Sequence, residues 1–213
     1  WTDLVRLGPE INGDESWEAT PSLSGDGKTL YYSKMIDGTR KEDIWFSTRN
    51  ENGDWTKGQP LRAINSVNGD KACYMHSDSK TLYFISQVDV ENGRYGAGKY
   101  DIYYTKQDGK GGWSTPKNIG YPINTEFDEY GLIVSADGHW AYISSARQAD
   151  KKGGFDIYRF ELPEEARPEK VLIVKGEVKD TDGKVLDSVK VEITNATTNE
   201  KYEVKVSKDD GKY

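Results

Sequence analysis

Six carboxylates recur at fixed places along this chain and are its first candidates for chemistry. Glu18, Asp70 and Glu129 open one recurring segment, and Asp43, Asp101 and Asp156 open another. Two carboxylates in one cleft, with surroundings that push their proton affinities apart, would make an acid–base pair. A ring of acids around a channel would hold cations or basic peptide. An acid that returns in every repeat has a simpler use: it accepts backbone N–H bonds at strand starts and turns. We adopt that structural role for all six.

Other motifs promise chemistry and lack a part of it. Gly93-Arg-Tyr-Gly-Ala-Gly-Lys99 has the spacing of a phosphate loop, but Tyr100 stands where a magnesium-binding hydroxyl is needed. A strand rather than a helix follows it. His76 and His139 fall in turns of different repeats, which is too few ligands for a metal site. His76-Ser77 has no oriented acid, and no Gly-x-Ser-x-Gly elbow exists. Asp180-x-Asp182-Gly183 and Asp209-Asp210-Gly211 begin like calcium loops without the later Glu, so they are expected to be tight turns. Asn195-Ala-Thr197 fits a glycosylation sequon. Cys73 is the one cysteine, which excludes an internal disulfide and a zinc cluster and suits a small buried side chain. We expect no catalytic, cofactor or metal residue, and a non-enzymatic chain.

Net charge is -7, from 29 basic and 36 acidic residues. The basic residues are interleaved with acids, so there is no patch to neutralise phosphates, and nucleic acid is excluded as a partner. No window holds the ~18 apolar residues that span a bilayer. There is no leader pattern, and Trp1 lies inside a repeat, so the natural N-terminus is expected further upstream. The 14 Tyr, 6 Trp and 22 Gly suit strands joined by tight turns.

The elements that must position these residues are repeats. Glu18–Ser33, Asp70–Ile85 and Glu129–Ser144 align, each followed by an Asp-Ile-aromatic step at Asp43, Asp101 and Asp156. That step recurs after 58 and then 55 residues. A Trp and then an Ile-Asn pair precede each unit: Trp1 with Ile11-Asn12, Trp55 with Ile64-Asn65, Trp113 with Ile123-Asn124. Each unit reads as four short strands. The first ends at the Ser-x-Asp-Gly turn, the second is the Leu-Tyr-Tyr run, the third starts at Asp-Ile and the fourth follows the Trp. Four strands in such a unit is the arithmetic of a propeller blade. Inserted residues fall between strands two and three, at Gln87–Lys99 and Ala146–Gly154. The expected fold is therefore all-β, with three propeller blades in an incomplete ring. Trp1–Leu7 read as the outer strand of a preceding blade, and an upstream strand is expected to complete blade three. Tyr31/Tyr32, Tyr83/Phe84 and Tyr142 are expected to pack between blades, with Tyr95 and Trp140 as candidate contact residues for a protein or glycan.

Composition shifts at the end of the chain. The expected domains are a partial propeller at 1–162 (repeats about 1–54, 55–112 and 113–162), a charged, Pro-bounded linker at 163–170 and a truncated sandwich at 171–213. Val171–Lys179, Val189–Ile193 and Tyr202–Val206 read as its strands.

The unit Glu-x-x-Pro-Ser-x-Ser-x-Asp-Gly-Lys-x-Leu-Tyr, followed by Asp-Ile-aromatic, resembles the TolB-type, WD-like propeller repeat. Blade one matches best; blade two departs at His76 and Ser79, and blade three at His139-Trp140. Gly176-x-Val178, Gly183-Lys-x-Leu186, Val189-x-Val191 and Asp210-Gly-Lys-Tyr213 resemble the start of a carboxypeptidase-regulatory-like (transthyretin-like) sandwich. This order of modules resembles Bacteroidetes OmpA-family periplasmic proteins of the type IX secretion system. The resemblance implies a periplasmic, outer-membrane-associated scaffold whose partners are other proteins of an envelope secretion complex. It also implies attachment to peptidoglycan through a domain absent from this sequence. A glycan- or peptide-binding sensor and the gating propeller of a peptidase are the alternatives.

Overall fold

The computed structural model describes residues 2–147, 154–172, 174–186, 189–196, 199, 201–207 and 210–213. Trp1, most of the Ala146–Gly154 insertion, Thr197 of the sequon and Asp209 of the last turn lie outside them. The chain divides into two compact units, residues 1–171 and 172–213. Among the described residues no helix is long and apolar enough to cross a membrane.

The first unit is built of three antiparallel sheets, each hydrogen-bonded in chain order like a propeller blade. Blade one holds β1 (Ser16–Leu23), β2 (Thr29–Ile36), β3 (Glu42–Thr48) and β4 (Gln59–Pro60). Blade two holds β5 (Asp70–Met75), β6 (Thr81–Gln87), β7 (Tyr100–Lys106) and β8 (Lys117–Asn118). Blade three has three strands, β9 (Glu129–Val134), β10 (Trp140–Ser145) and β11 (Asp156–Glu161). Residues 2–7 form no strand among the described residues, and Leu4 and Val5 are exposed. A strand needs a neighbour to satisfy its backbone, and none of the described sheets pairs with this segment.

The turn from first to second strand shows why the repeats look as they do. Its fourth position takes a left-handed backbone, φ +66° at Gly27 and +71° at Gly138, which glycine adopts without steric cost. Ser79 takes the same conformation in blade two. In blades one and three the turn is tied by Ser24 Oγ donating to Asp26 (2.6 Å) and Ser135 Oγ donating to Asp137 (2.5 Å). His76 stands at the serine position of blade two. Its Nδ1 accepts the Asp78 N–H at 3.1 Å, and its Nε2 lies 3.1 Å from the Ser135 carbonyl. The departure from the repeat therefore serves contact between blades two and three.

Alternation along the middle strands sends successive side chains into opposite interfaces between blades. Tyr83 joins Ile102, Tyr104, Leu132 and Ile143 in the core between blades two and three. Its neighbour Phe84 joins Ile44, Ile64, Cys73 and Tyr103 between blades one and two. Tyr31 and Tyr32 divide in the same way, and buried Cys73 is a core side chain. Tyr142 remains 36% exposed.

Residues 162–169, within the expected linker, are docked as a strap. Leu162 and Ala166 are buried in the core between blades two and three. Tyr83 donates its hydroxyl to the Ala166 carbonyl (2.5 Å), Lys106 bonds the Arg167 carbonyl (2.8 Å) and Lys80 pairs with Glu169 (2.7 Å).

In the second unit β12 (Lys190–Thr194) and β13 (Lys201–Lys205) form an antiparallel hairpin. The strand expected over Val171–Lys179 is reduced to bridges, Glu177 with Lys212 and Lys179 with Val185. Leu172 and Val174 are exposed, because so short a unit has little core to cover them. Asp180 Oδ1 accepts the Asp182 and Lys184 N–H groups at 2.9 and 2.8 Å, which is tight-turn geometry.

Candidate functional site

Glu18, Asp70 and Glu129 each sit in the same four-part clamp. In blade one Lys34 Nζ lies 2.9 Å from Glu18, 3.4 Å from the Ile11 carbonyl and 5.2 Å from the Trp45 ring centre. In blade two Arg94 lies 4.0 Å from Asp70, bonds the Ile64 carbonyl and stands 5.5 Å from the Tyr103 ring. In blade three Arg147 lies 2.9 Å from Glu129, bonds the Ile123 carbonyl and stands 5.5 Å from the Tyr158 ring. The acid begins or enters the first strand, the ring comes from the third strand, and the carbonyl belongs to the Ile-Asn pair. The cation comes from the second strand in blade one and from the insertion between strands two and three in blades two and three, near its middle in Arg94 and at its start in Arg147. Sequence reading missed all three cations, since the acids fall at the same place of each aligned segment and the cations do not.

The acids are also held by backbone and hydroxyl groups. Asp70 accepts the Ser66 N–H, and Glu129 accepts the Thr125 hydroxyl at 2.6 Å. Burial raises the proton affinity of Asp70 and Glu129, both fully buried, and their hydrogen bonds and arginines oppose it. In Glu18, burial is outweighed by Ser16 and Lys34, which hold its carboxyl below the ordinary value. Asp70 and Glu129 are enclosed beside their arginines, although Asp70 Oδ1 keeps no hydrogen-bond partner among the described residues.

The asparagine of the pair has its own task. Asn65 Oδ1 accepts the Ile44 N–H at 3.0 Å, while its Nδ2 donates to the Ile44 carbonyl at 2.9 Å. Asn124 does the same to Ile102, at 2.9 and 2.8 Å. An amide side chain thus substitutes for a strand neighbour on the Asp-Ile step. Ile157, the blade-three equivalent, is 80% exposed.

Asp43, Asp101 and Asp156 share a register but not an environment. Asp101 is buried and caps the inserted loop, accepting N–H bonds from Ala97 (2.8 Å) and Gly98 (3.1 Å). Asp43 lies 3.0 Å from Lys41, and Asp156 is exposed. The Gly93–Lys99 loop is folded around Asp101, and its Arg94 is the clamp cation of blade two.

A bulge lies two residues after each clamp acid. It places Thr20 (φ 48°), Ala72 (φ 50°) and Gly131 (φ 63°) in the left-handed region, which strains a non-glycine residue. The Ala72 N–H released by the bulge bonds Ser33 Oγ of blade one at 2.9 Å.

Tyr95 and Trp140 are not brought together. Tyr95 is 65% exposed on the β6–β7 loop. Trp140 begins β10 at the opposite end of the blades, half-buried beneath Arg159 at 4.4 Å. His139 packs on Trp140 and lies 3.6 Å from Glu161. Among the described residues no cluster of potential metal ligands exists.

Cavities open on the first unit among the described residues. A shallow one of about 460 Å³ is lined by Gly13, Asp14, Glu15, Ser16, Lys34 and Ile36. A groove of about 330 Å³ runs between blades one and two, walled by Tyr31, Phe46, Leu61 and Trp113. Neither is lined by Asp70, Asp101 or Glu129.

No family model matches the chain, and no curated protein matches it. Among solved structures it is similar to a putative TolB from Agrobacterium tumefaciens, at 16% identity and TM-score 0.45 over 72% of this chain and 47% of that one. It is similar to TolB from Acinetobacter baumannii, at 17% identity and TM-score 0.42 over 88% and 43%. The catalytic domain of an α-L-arabinofuranosidase from Coprinopsis cinerea matches at 13% identity and TM-score 0.44 over 73% and 50%. The chain spans about half the length of these structures.

Proposed function

We propose that this chain is a non-catalytic interaction scaffold, a stack of propeller blades that presents surfaces to other proteins. One observation carries the reading: three of the six recurring carboxylates are enclosed in the clamps Glu18–Lys34, Asp70–Arg94 and Glu129–Arg147, and Asp101 is buried as the cap of its loop. The finer reading is a periplasmic, outer-membrane-associated part of the type IX secretion system, of the PorE-like, OmpA-family kind. It rests on the order of the repeat and of the carboxypeptidase-regulatory-like motif after it, with domains at 1–162 and 171–213 joined through 163–170. Its partners are other proteins of the envelope complex, with peptidoglycan held by a domain outside this sequence.

The test is fractionation of the native host with an antibody to this chain, combined with crosslinking in intact cells. Recovery in the envelope, co-sedimentation with peptidoglycan and crosslinks to secretion proteins are expected. Recovery in the cytosol without crosslinks overturns the reading. The aromatic walls of the groove at Tyr31, Phe46 and Trp113 favour a second reading, a glycan- or peptide-binding sensor. Saturable heats in calorimetry with muropeptides or polysaccharides would support its glycan form.

A further inference from the structure

The strap shows what one flank of a blade can hold. On blade two, Tyr83 and Tyr104 face each other across β6 and β7, and the strap lies on them. Ala166 supplies the carbonyl that takes the Tyr83 hydroxyl, and Glu169, three residues on, pairs with Lys80 of the turn. Glu169 also donates its N–H to Asp78 at 3.0 Å.

Blade one carries the same wall at the same register. Tyr31 faces Phe46 across β2 and β3 as Tyr83 faces Tyr104, and Lys28 and Asp26 stand where blade two has Lys80 and Asp78. Here the wall opens onto the 330 Å³ groove, a volume in the range of small-ligand pockets. Tyr31 is 5% exposed and lines the groove, and among the described residues its hydroxyl has no hydrogen-bond partner. Burial pushes that hydroxyl up to about 12, so it is a donor at neutral pH. A hydroxyl that lines the groove and has no protein acceptor can donate to a ligand carbonyl.

We propose that the groove between blades one and two takes a short segment of a partner polypeptide, held as the strap is held on blade two. The segment places a small residue on the Tyr31 ring, with its carbonyl accepting the Tyr31 hydroxyl. An acidic residue three positions later meets Lys28. The proposal rests on the interaction-scaffold reading and names the chemistry of one partner segment.

The probe is a synthetic peptide with the sequence of residues 161–170, added to the whole 213-residue chain and followed by NMR at the Trp113 indole. Saturable shifts at Trp113 and Phe46 are expected. Tyr31→Phe should weaken binding about fivefold, the share of one hydrogen bond, with an unchanged melting temperature. A peptide carrying Glu169→Lys should bind more weakly still. The proposal is overturned by no saturation at millimolar peptide or by indifference to Tyr31→Phe. It is also overturned by shifts confined to Tyr83 and Tyr104, or by self-association of the chain through its own strap. Peptide failure alongside envelope crosslinks removes the groove assignment and leaves the scaffold reading standing; cytosolic recovery removes the latter.

Discussion

Arg147 and Glu129 meet at 2.9 Å in blade three, and Lys34 and Glu18 meet at the same distance in blade one, although one cation stands within the second strand and the other in the insertion after it. The acid, the Ile carbonyl and the ring are constant, and the cation is whatever the local chain can deliver. Burying a carboxylate without a partner is costly, so the position of the positive charge matters and its sequence origin does not.

The asparagine that substitutes for a strand should be among the most sensitive polar positions. Asn124 is 1% exposed and satisfies both backbone groups of Ile102. Asn124→Leu leaves the Ile102 N–H without a partner, which costs roughly 1–3 kcal/mol, while the Ile102 carbonyl keeps the Ile119 N–H at 3.1 Å. Urea denaturation should show a loss in that range, and a change within error would remove the asparagine's role.

The strap should loosen when its carbonyl contact or its seat is altered. Tyr83→Phe leaves the Ala166 carbonyl unbonded and should cost about 1–2 kcal/mol. A Cβ at Gly138 would stand 2.9 Å from the Pro168 ring, whereas one at Gly27 meets nothing within 4 Å. Both glycines have positive φ, so Gly138→Ala should exceed Gly27→Ala in cost. It should also speed proteolysis within 162–169; equal effects would mean that the strap is not seated there.

The bulges predict opposite signs at equivalent positions. Ala72 carries a left-handed backbone, which costs an L-residue ~1–2 kcal/mol. Ala72→Gly removes that and adds unfolded-state entropy, for a net gain of up to about 1 kcal/mol. Gly131→Ala should lose stability instead. Thermal denaturation of the two variants decides it, and a shift of both in one direction would contradict the strain.

Acid should weaken the turns. Burial acts to raise the Asp78 carboxyl, but the His76 ring, the Lys80 and Thr81 N–H groups and the Thr81 hydroxyl outweigh it and leave it well below 3.8. A lowered folded value means stability that is present above the ordinary aspartate range and lost as pH falls below it. Asp26 and Asp137 are lowered too: burial acts to raise Asp26 but Ser24 and the Lys28 N–H outweigh it, and Asp137 is lowered chiefly by Ser135. Asp70 and Glu129 are raised by burial and act with the opposite sign. Asp78→Asn should therefore lower stability at pH 7 and flatten the decline below about pH 4, read as urea midpoints across pH; an unchanged slope would contradict it.

The blades were legible because Ser-x-Asp-Gly turns and alternating aromatics are local signals, and the strands form where those signals place them. The clamps were half legible: their acids recur, while Lys34 comes from a strand and Arg94 and Arg147 from insertions of different length and sequence. The strap read as a linker because Leu162 and Ala166 are its only members of the apolar core, within a charged, proline-bounded run. The strand expected at Val171–Lys179 has the alternation but too little partner strand to pair along its length. Trp140 read as a surface aromatic, and its cover, Arg159, is a neighbour only across β10 and β11.

The claim that the repeat acids are structural is tested most directly by a double-mutant cycle on Glu129 and Arg147. Glu129→Gln, Arg147→Met and the double variant are compared by urea denaturation. The account predicts strong coupling, about 1–3 kcal/mol, as contacting charged partners give. Additive losses would contradict it, leaving Glu129 as a buried acid without a structural counter-charge and reopening a chemical role for the repeat carboxylates.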